Sequence, residues 1–171
     1  MATISDRVLL PANVKPVHYN LVLTPDLTTF EFTGSVSIDL LVVSACNSIS
    51  LHCKEISVSK ATYCSDGISK EAVRINYDLK LTTVTFEFSD NFETGLSGVL
   101  KIEYTGILNN QMAGFYRSKY TDVDGKETYM ASTQFEALDA RRALPCWCVI
   151  FIQNMIRQNV MELDMKKLRS Q

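Results

Sequence analysis

Histidine is nearly absent from this 171-residue chain: only His18 and His52 occur, far apart in sequence. No H-E-x-x-H or H-x3-H pair can be written, so a zinc site built on closely spaced histidines is excluded. Cysteine is also sparse. Cys46, Cys53, Cys64, Cys146 and Cys148 make an odd number, and the last two are spaced C-x-C rather than C-x-x-C. Neither a disulfide framework nor a redox dithiol fits. Cys53 and Cys64 alternate with apolar positions and read as buried thiols. None of the asparagines begins an Asn-x-Ser/Thr acceptor. Long apolar runs are missing as well: the first residues offer only Val8-Leu9-Leu10, too short for a signal-peptide core, and Trp147 to Ile152 is far below a membrane span. There is no excess of cations, with 17 Lys and Arg against 19 Asp and Glu and a net charge of -2. A nucleic-acid or anionic-membrane surface is therefore not expected as a partner. These absences together point to a reducing cytoplasm.

What is present is globular. Hydrophobic residues make up 46% and charged residues 21%, enough for one domain with a core that needs no disulfide or metal. From residue 17 to about 135 the apolar period is two. Phe30, Phe32, Val36, Ile38, Leu40 and Val42 fall on one face, while Glu31, Thr33, Ser35, Ser37 and Asp39 fall on the other. This predicts a half-buried antiparallel strand with Gly34 as a bulge or bend. Tyr19, Leu21 and Leu23 repeat the pattern before Pro25-Asp26, as do Ile49, Leu51 and Cys53, then Ile56 and Val58. Ser65-Asp66-Gly67 marks a turn, Thr82-Thr83 a change of phase, and Asp124-Gly125 a hairpin between Phe115–Tyr120 and Thr128–Phe135. The fold class is all-β, an antiparallel sandwich.

The pattern then switches. Thr133-Gln134-Phe135-Glu136 has the T-x-x-E form of a capping box, and acids precede arginines up to Arg142, so a short helix is predicted near 136–142, ended by Pro145. Beyond Trp147 there is no Gly or Pro, and Ile152, Ile156, Val160 and Leu163 recur at helical spacing. The expected division is a β domain over 1–147 and a helical tail over 148–171. Two readings of the tail stand: an amphipathic helix that covers sandwich surface, or an extension whose Val149 to Ile152 run is an aggregation hazard.

Several stretches in order carry a resemblance. They are Leu10-Pro11-Ala12-Asn13-Val14-Lys15-Pro16-Val17-His18-Tyr19-Asn20-Leu21, then Lys101 to Asn109, Gly114 to Tyr120, and, most specifically, Thr133 through Ala140-Arg141-Arg142 to Pro145-Cys146-Trp147. This order resembles the amino-terminal domain of the aminopeptidase N family of zinc aminopeptidases, of the puromycin-sensitive type, over about residues 9 to 147. The resemblance implies a saddle-like β-sandwich beside a separate catalytic domain. It also implies peptide hydrolysis from the amino terminus by a zinc held on H-E-x-x-H and a further Glu, with a G-A-M-E-N segment at the substrate amine. Neither motif occurs in this chain. The resemblance stops at Trp147, the kind of ending that a truncated transcript, intron read-through or altered frame would produce.

By resemblance, Gln134 lines the pocket for the first substrate side chain and Glu136 helps hold the substrate ammonium. A free amine is cationic, so carboxylates around it fix the register of an exopeptidase. The competing reading is structural, with Glu136 completing the capping box and Gln134 pairing at a strand end. Asp139, Arg141 and Arg142 read as helix-end and inter-strand ion pairs, Arg117 and Lys119 as a solvated face, and the histidines as strand residues. The chain itself is expected to hold no metal, to use no cofactor and to be non-catalytic. It would bind peptide amino termini, or a protein partner through the face that otherwise meets the catalytic domain; the alternative is a β-sandwich adaptor unrelated to peptides.

Overall fold

A computed structural model describes residues 9–136 and 138–147; the expected tail lies outside the described residues. Ten strands follow in chain order: β1 (Val14–Asp26), β2 (Glu31–Val42), β3 (Cys46–His52), β4 (Ile56–Ser65), β5 (Ile68–Glu71), β6 (Arg74–Asp78), β7 (Thr83–Phe92), β8 (Ser97–Ile107), β9 (Gly114–Thr121) and β10 (Glu127–Gln134). They form an antiparallel five-stranded sheet in the order β1-β2-β8-β4-β5, a three-stranded sheet β3-β7-β6 and the two-stranded hairpin β9-β10. The expected all-β sandwich is thus present.

The period-two pattern builds it directly. In β2 the five residues Phe32, Val36, Ile38, Leu40 and Val42 are buried, and Val36 and Ile38 stand across the ladder from Ile102 and Leu100 of β8. Ile49, Leu51, Val84, Phe86 and Phe88 supply the other layer. The layers meet through rings: Tyr63 of β4 lies 4.3 Å from Phe92 and 6.4 Å from Phe88 of β7, while Phe32 lies 5.1 Å from Phe115 of β9. Each such side chain contributes about 1.5–3 kcal/mol by leaving water.

The turns are set by short acids and amides at their first position. Asp26, Asp78 and Asp122 each accept two backbone N–H groups through Oδ1, and Asn109 accepts one from Gln111. This is the local chemistry that makes Asp and Asn turn formers. At Asp26 the two N–H donors, from Thr28 and Thr29, hold the carboxyl below its usual range. The phase change near Thr82 is a left-handed turn residue, with φ 51°, between β6 and β7.

Gly34 is not a bulge. Pairing of β2 with β8 runs unbroken through it, and Gly34 sits directly opposite Tyr104. A Cβ there would collide with the Tyr104 ring. The same device recurs where Phe32 covers Gly106, its partner across the ladder, and where Tyr63 covers Gly98. The Tyr104 hydroxyl is buried with no hydrogen-bond partner among the described residues, and burial pushes the phenol well above its ordinary value. The ring, not the hydroxyl, is the useful part. Gly34→Ala is expected to lower unfolding free energy by about 1–3 kcal/mol through overpacking. Tyr104→Phe should change it by less than about 1 kcal/mol, because it removes an unpaired polar atom. Urea unfolding at neutral pH checks both, and a Gly34→Ala chain as stable as wild type would contradict the ring-on-glycine packing.

Candidate functional site

The two residues marked by resemblance lie where the β9-β10 hairpin closes onto the sandwich. Gln134 is the last residue of β10 and pairs with Gly114, the first of β9. Its side chain is exposed, as is that of Glu136, while Phe135 between them packs half-buried against the core. Phe135 and Glu136 follow the end of β10, in the bend that leads to the next turn. Gln134 offers an amide donor and acceptor, and Glu136 a carboxylate, side by side at one strand end.

Behind them the chain makes a single 3₁₀ turn, Asp139–Arg142, rather than the helix expected from residue 136. The capping box does not form. Thr133 is paired with Phe115 inside β10, and the position preceding the turn is Leu138, which makes no side-chain cap. The T-x-x-E spelling fell in a strand, where its residues have other work.

The turn is locked from several sides. Arg142 donates through Nε to Asp139 Oδ1 at 3.2 Å and through Nη1 to Glu55, so the expected pair of Arg142 with Asp139 is present, whereas the side-chain hydrogen bonds of Arg141 go to neutral groups. Arg141 is buried; it donates to Leu138 O and to Thr82 Oγ1 at 2.7 Å, and its carbonyl accepts from Lys54. Gly114 has φ 71° and no room for a Cβ beside Arg142, so the hairpin's first residue presses on the turn. Further on, Cys146 exchanges both backbone bonds with His52, at 2.9 and 3.0 Å, and Trp147 N–H donates to the Tyr19 hydroxyl at 3.2 Å. A cleft of about 660 Å³ opens beside this lock, with Lys54, Glu55, Tyr77, Leu79, Thr82 and Ile107 among its walls.

Two further expectations are revised. Arg117 is not simply solvated: its guanidinium lies 4.3 Å from the Phe30 ring centroid and donates to Leu108 O. Phe30 also meets Tyr129 edge-on, at 4.8 Å. The stack joins residues distant in sequence, so alternation alone could not reveal it. Lys119 is exposed and paired with Glu127 at 2.6 Å. Of the two cysteines expected inside, Cys53 is buried and its thiol is pushed up to about 12 by burial, whereas Cys64 is half-buried and bonded to Ser69.

Comparison with known proteins places the chain in a family. The family described as the peptidase M1 N-terminal domain matches residues 15–148. The chain is 45% identical over 142 residues to aminopeptidase 2 of Candida albicans, 43% over 143 residues to the alanine/arginine aminopeptidase of Saccharomyces cerevisiae, and 34% over 139 residues to the puromycin-sensitive aminopeptidase of Caenorhabditis elegans. These alignments cover 83%, 82% and 81% of this chain but 15%, 16% and 15% of those proteins. The chain thus spans about a sixth or less of the length of these relatives.

The described residues do not fit the zinc that the resemblance attaches to such enzymes. No three His, Cys, Asp or Glu side chains gather among them. No described helix is long and apolar enough to cross a membrane. His18 lies within β1 and His52 ends β3, as strand residues. His52 is buried, and burial together with the nearby Arg141 cation lowers its pKa to about 4. A base depressed in the folded state binds its proton more readily when unfolded. Stability is therefore full above the unfolded value near 6.5 and falls as pH drops toward about 4. The expected loss from this one group is about 2 kcal/mol at pH 5. Unfolding of wild type and His52→Phe between pH 7 and 5 checks it: the variant should lose that part of the slope, and an unchanged slope would count against His52 as its source.

Proposed function

Since the chain belongs to the peptidase M1 N-terminal domain family, we propose that it is the substrate-facing part of an aminopeptidase, without hydrolytic chemistry of its own. Glu136 supplies a carboxylate to the α-ammonium of a peptide, and Gln134 lines the space for the first side chain. The observation that carries this reading is the outward pairing of Gln134 and Glu136 around the inward Phe135, at a strand end locked by the Arg142 pairs. The exposed Leu79 and Ile107 at the neighbouring cleft support a companion protein part over that end of the sandwich. The four described cysteines are free, which suits a cytoplasmic setting, although a yeast relative carries "mitochondrial" in its name.

The proposed division of labour has a direct chemical logic. An exopeptidase must measure where the chain begins, and it does so by recognising charge at the amine rather than by side-chain fit alone. A carboxylate on a braced strand end can provide that mark, while bond cleavage requires an activated water that nothing gathered among the described residues supplies.

The purified chain is expected to show no turnover of an aminoacyl-coumarin substrate and no stoichiometric zinc. Chelator-sensitive turnover would overturn the non-catalytic reading. For binding, a free-amine peptide should bind up to about fivefold more tightly than its N-acetylated form, the range of an exposed ion pair. Glu136→Gln should abolish that preference; equal preference in the variant would remove Glu136 from the role.

A further inference from the structure

Left-handed backbone suits glycine, and a bulky or β-branched residue found there is an outlier that the surrounding structure must hold in place. Among the described residues Gly67, Gly95, Gly114 and Gly125 adopt it. So do five residues with side chains, Phe30, Glu55, Asp66, Thr82 and Met112, with φ between 51° and 60°. Asp66 precedes Gly67 in the tight turn between β4 and β5, where aspartate commonly takes this conformation. Met112 stands exposed in the loop before β9. The other three have a different feature in common.

Phe30, Glu55 and Thr82 occupy three separate connections, β1 to β2, β3 to β4 and β6 to β7. Each sets its side chain against an arginine. The Phe30 ring centroid lies 4.3 Å from the Arg117 guanidinium, Glu55 takes Arg142 Nη1, and Thr82 Oγ1 accepts from Arg141 Nη1 at 2.7 Å. All three arginines come from the stretch that carries Gln134 and Glu136. Arg117 stands in β9 opposite Ala131 of β10, and Arg141 and Arg142 end the 3₁₀ turn. That turn is bonded to the site itself, since Asp139 N–H donates to Phe135 O at 3.1 Å. Glycine would take each of these three backbones without steric cost, but it would leave the arginine without its contact.

We propose that Phe30, Glu55 and Thr82 are positioning residues: side chains carried on unfavourable backbone that clamp three arginines and so hold the Gln134–Glu136 stretch at a fixed place on the sandwich. The proposal rests on the reading of Gln134 and Glu136 as the peptide-amine site. Strain makes such a clamp separable from a residue that only stabilises. Replacement by glycine removes the backbone cost together with the tether, and these act in opposite directions on folding, whereas only the tether acts on position.

The test compares Glu55→Gly, Thr82→Ser and Thr82→Val with the wild type, all as the full chain. Glu55→Gly is expected to unfold in urea at a midpoint no lower than that of the wild type. Its Asp139 amide, whose bond to Phe135 O reports the docking of the turn, should nonetheless exchange about fivefold faster, the effect of one partly exposed ion pair on a local opening. Its preference for a free-amine over an N-acetylated peptide should fall as well. Thr82→Ser keeps the hydroxyl and should exchange as the wild type does, while Thr82→Val keeps the shape without the hydroxyl and should exchange faster. A Glu55→Gly chain that is less stable or unfolded would overturn the proposal, because Glu55 would then be a stabilising residue. An unchanged Asp139 exchange rate in Glu55→Gly, equal rates in the two Thr82 variants, or a full amine preference retained while Asp139 opens would each overturn it too. Exchange involves no peptide. A wild-type chain indifferent to the peptide amine therefore removes the peptide-site reading, and the exchange rates alone then decide the clamp.

Discussion

Three aromatic side chains fill the space that a Cβ would take on three glycines of the five-stranded sheet, and the architecture depends on that packing. Phe32 covers Gly106, Tyr104 covers Gly34, and Tyr63 covers Gly98. Two of these glycines belong to β8, which is hydrogen-bonded to β2 along one side and β4 along the other. A side chain at any of the three would lift a ring away from its sheet. Two of these rings also reach another sheet, Phe32 to Phe115 and Tyr63 to Phe88 and Phe92, and Tyr104 meets Phe32 edge-on. The glycines therefore set how closely the sheets approach, and the rings transmit that spacing to β7 and to the hairpin. Flexibility is not their purpose. They are the floor on which the core is laid.

The site residues depend on this floor at one remove. Phe32 meets Phe115, the residue after Gly114, and Gly114 pairs with Gln134. The hairpin end is held from the other side by the 3₁₀ turn through Arg142. Between the exposed Gln134 and Glu136, Phe135 packs half-buried against the core.

Much of this was legible in sequence. Alternation in β2 gave the buried face correctly from Phe32 to Val42, and Asp124-Gly125 located the hairpin that carries Gln134. The failures share a cause. Gly34 reads as a bulge or bend because a missing Cβ serves these as well as a close approach, and only the partner across the ladder decides between them. The T-x-x-E spelling suggested a helix start because capping is a local rule, yet pairing of Thr133 with Phe115 is a long-range one. Arg117 looked solvated because its ring partner, Phe30, lies on another element. Sheet membership was equally hidden: nothing in the spacing of β3, β6 and β7 separates them from their sequence neighbours in the other sheet. Gln134 and Glu136 were found by resemblance, since two polar residues beside a phenylalanine are common in any strand end.

The unequal treatment of the sheet edges bears on how such a domain is used. Edges that face water throughout a protein's life need protection of their own, whereas an edge normally covered by another surface does not. β1 carries Pro16 and Pro25, β3 has a register break after Cys46, β5 and β6 are short, and β9 is met by Asn109. β10 pairs with β9 and carries Glu127 in an ion pair with Lys119, and it is the strand that ends in Gln134, two residues before Glu136. Its outer edge and the exposed Gln134 and Glu136 therefore lie along one stretch of chain.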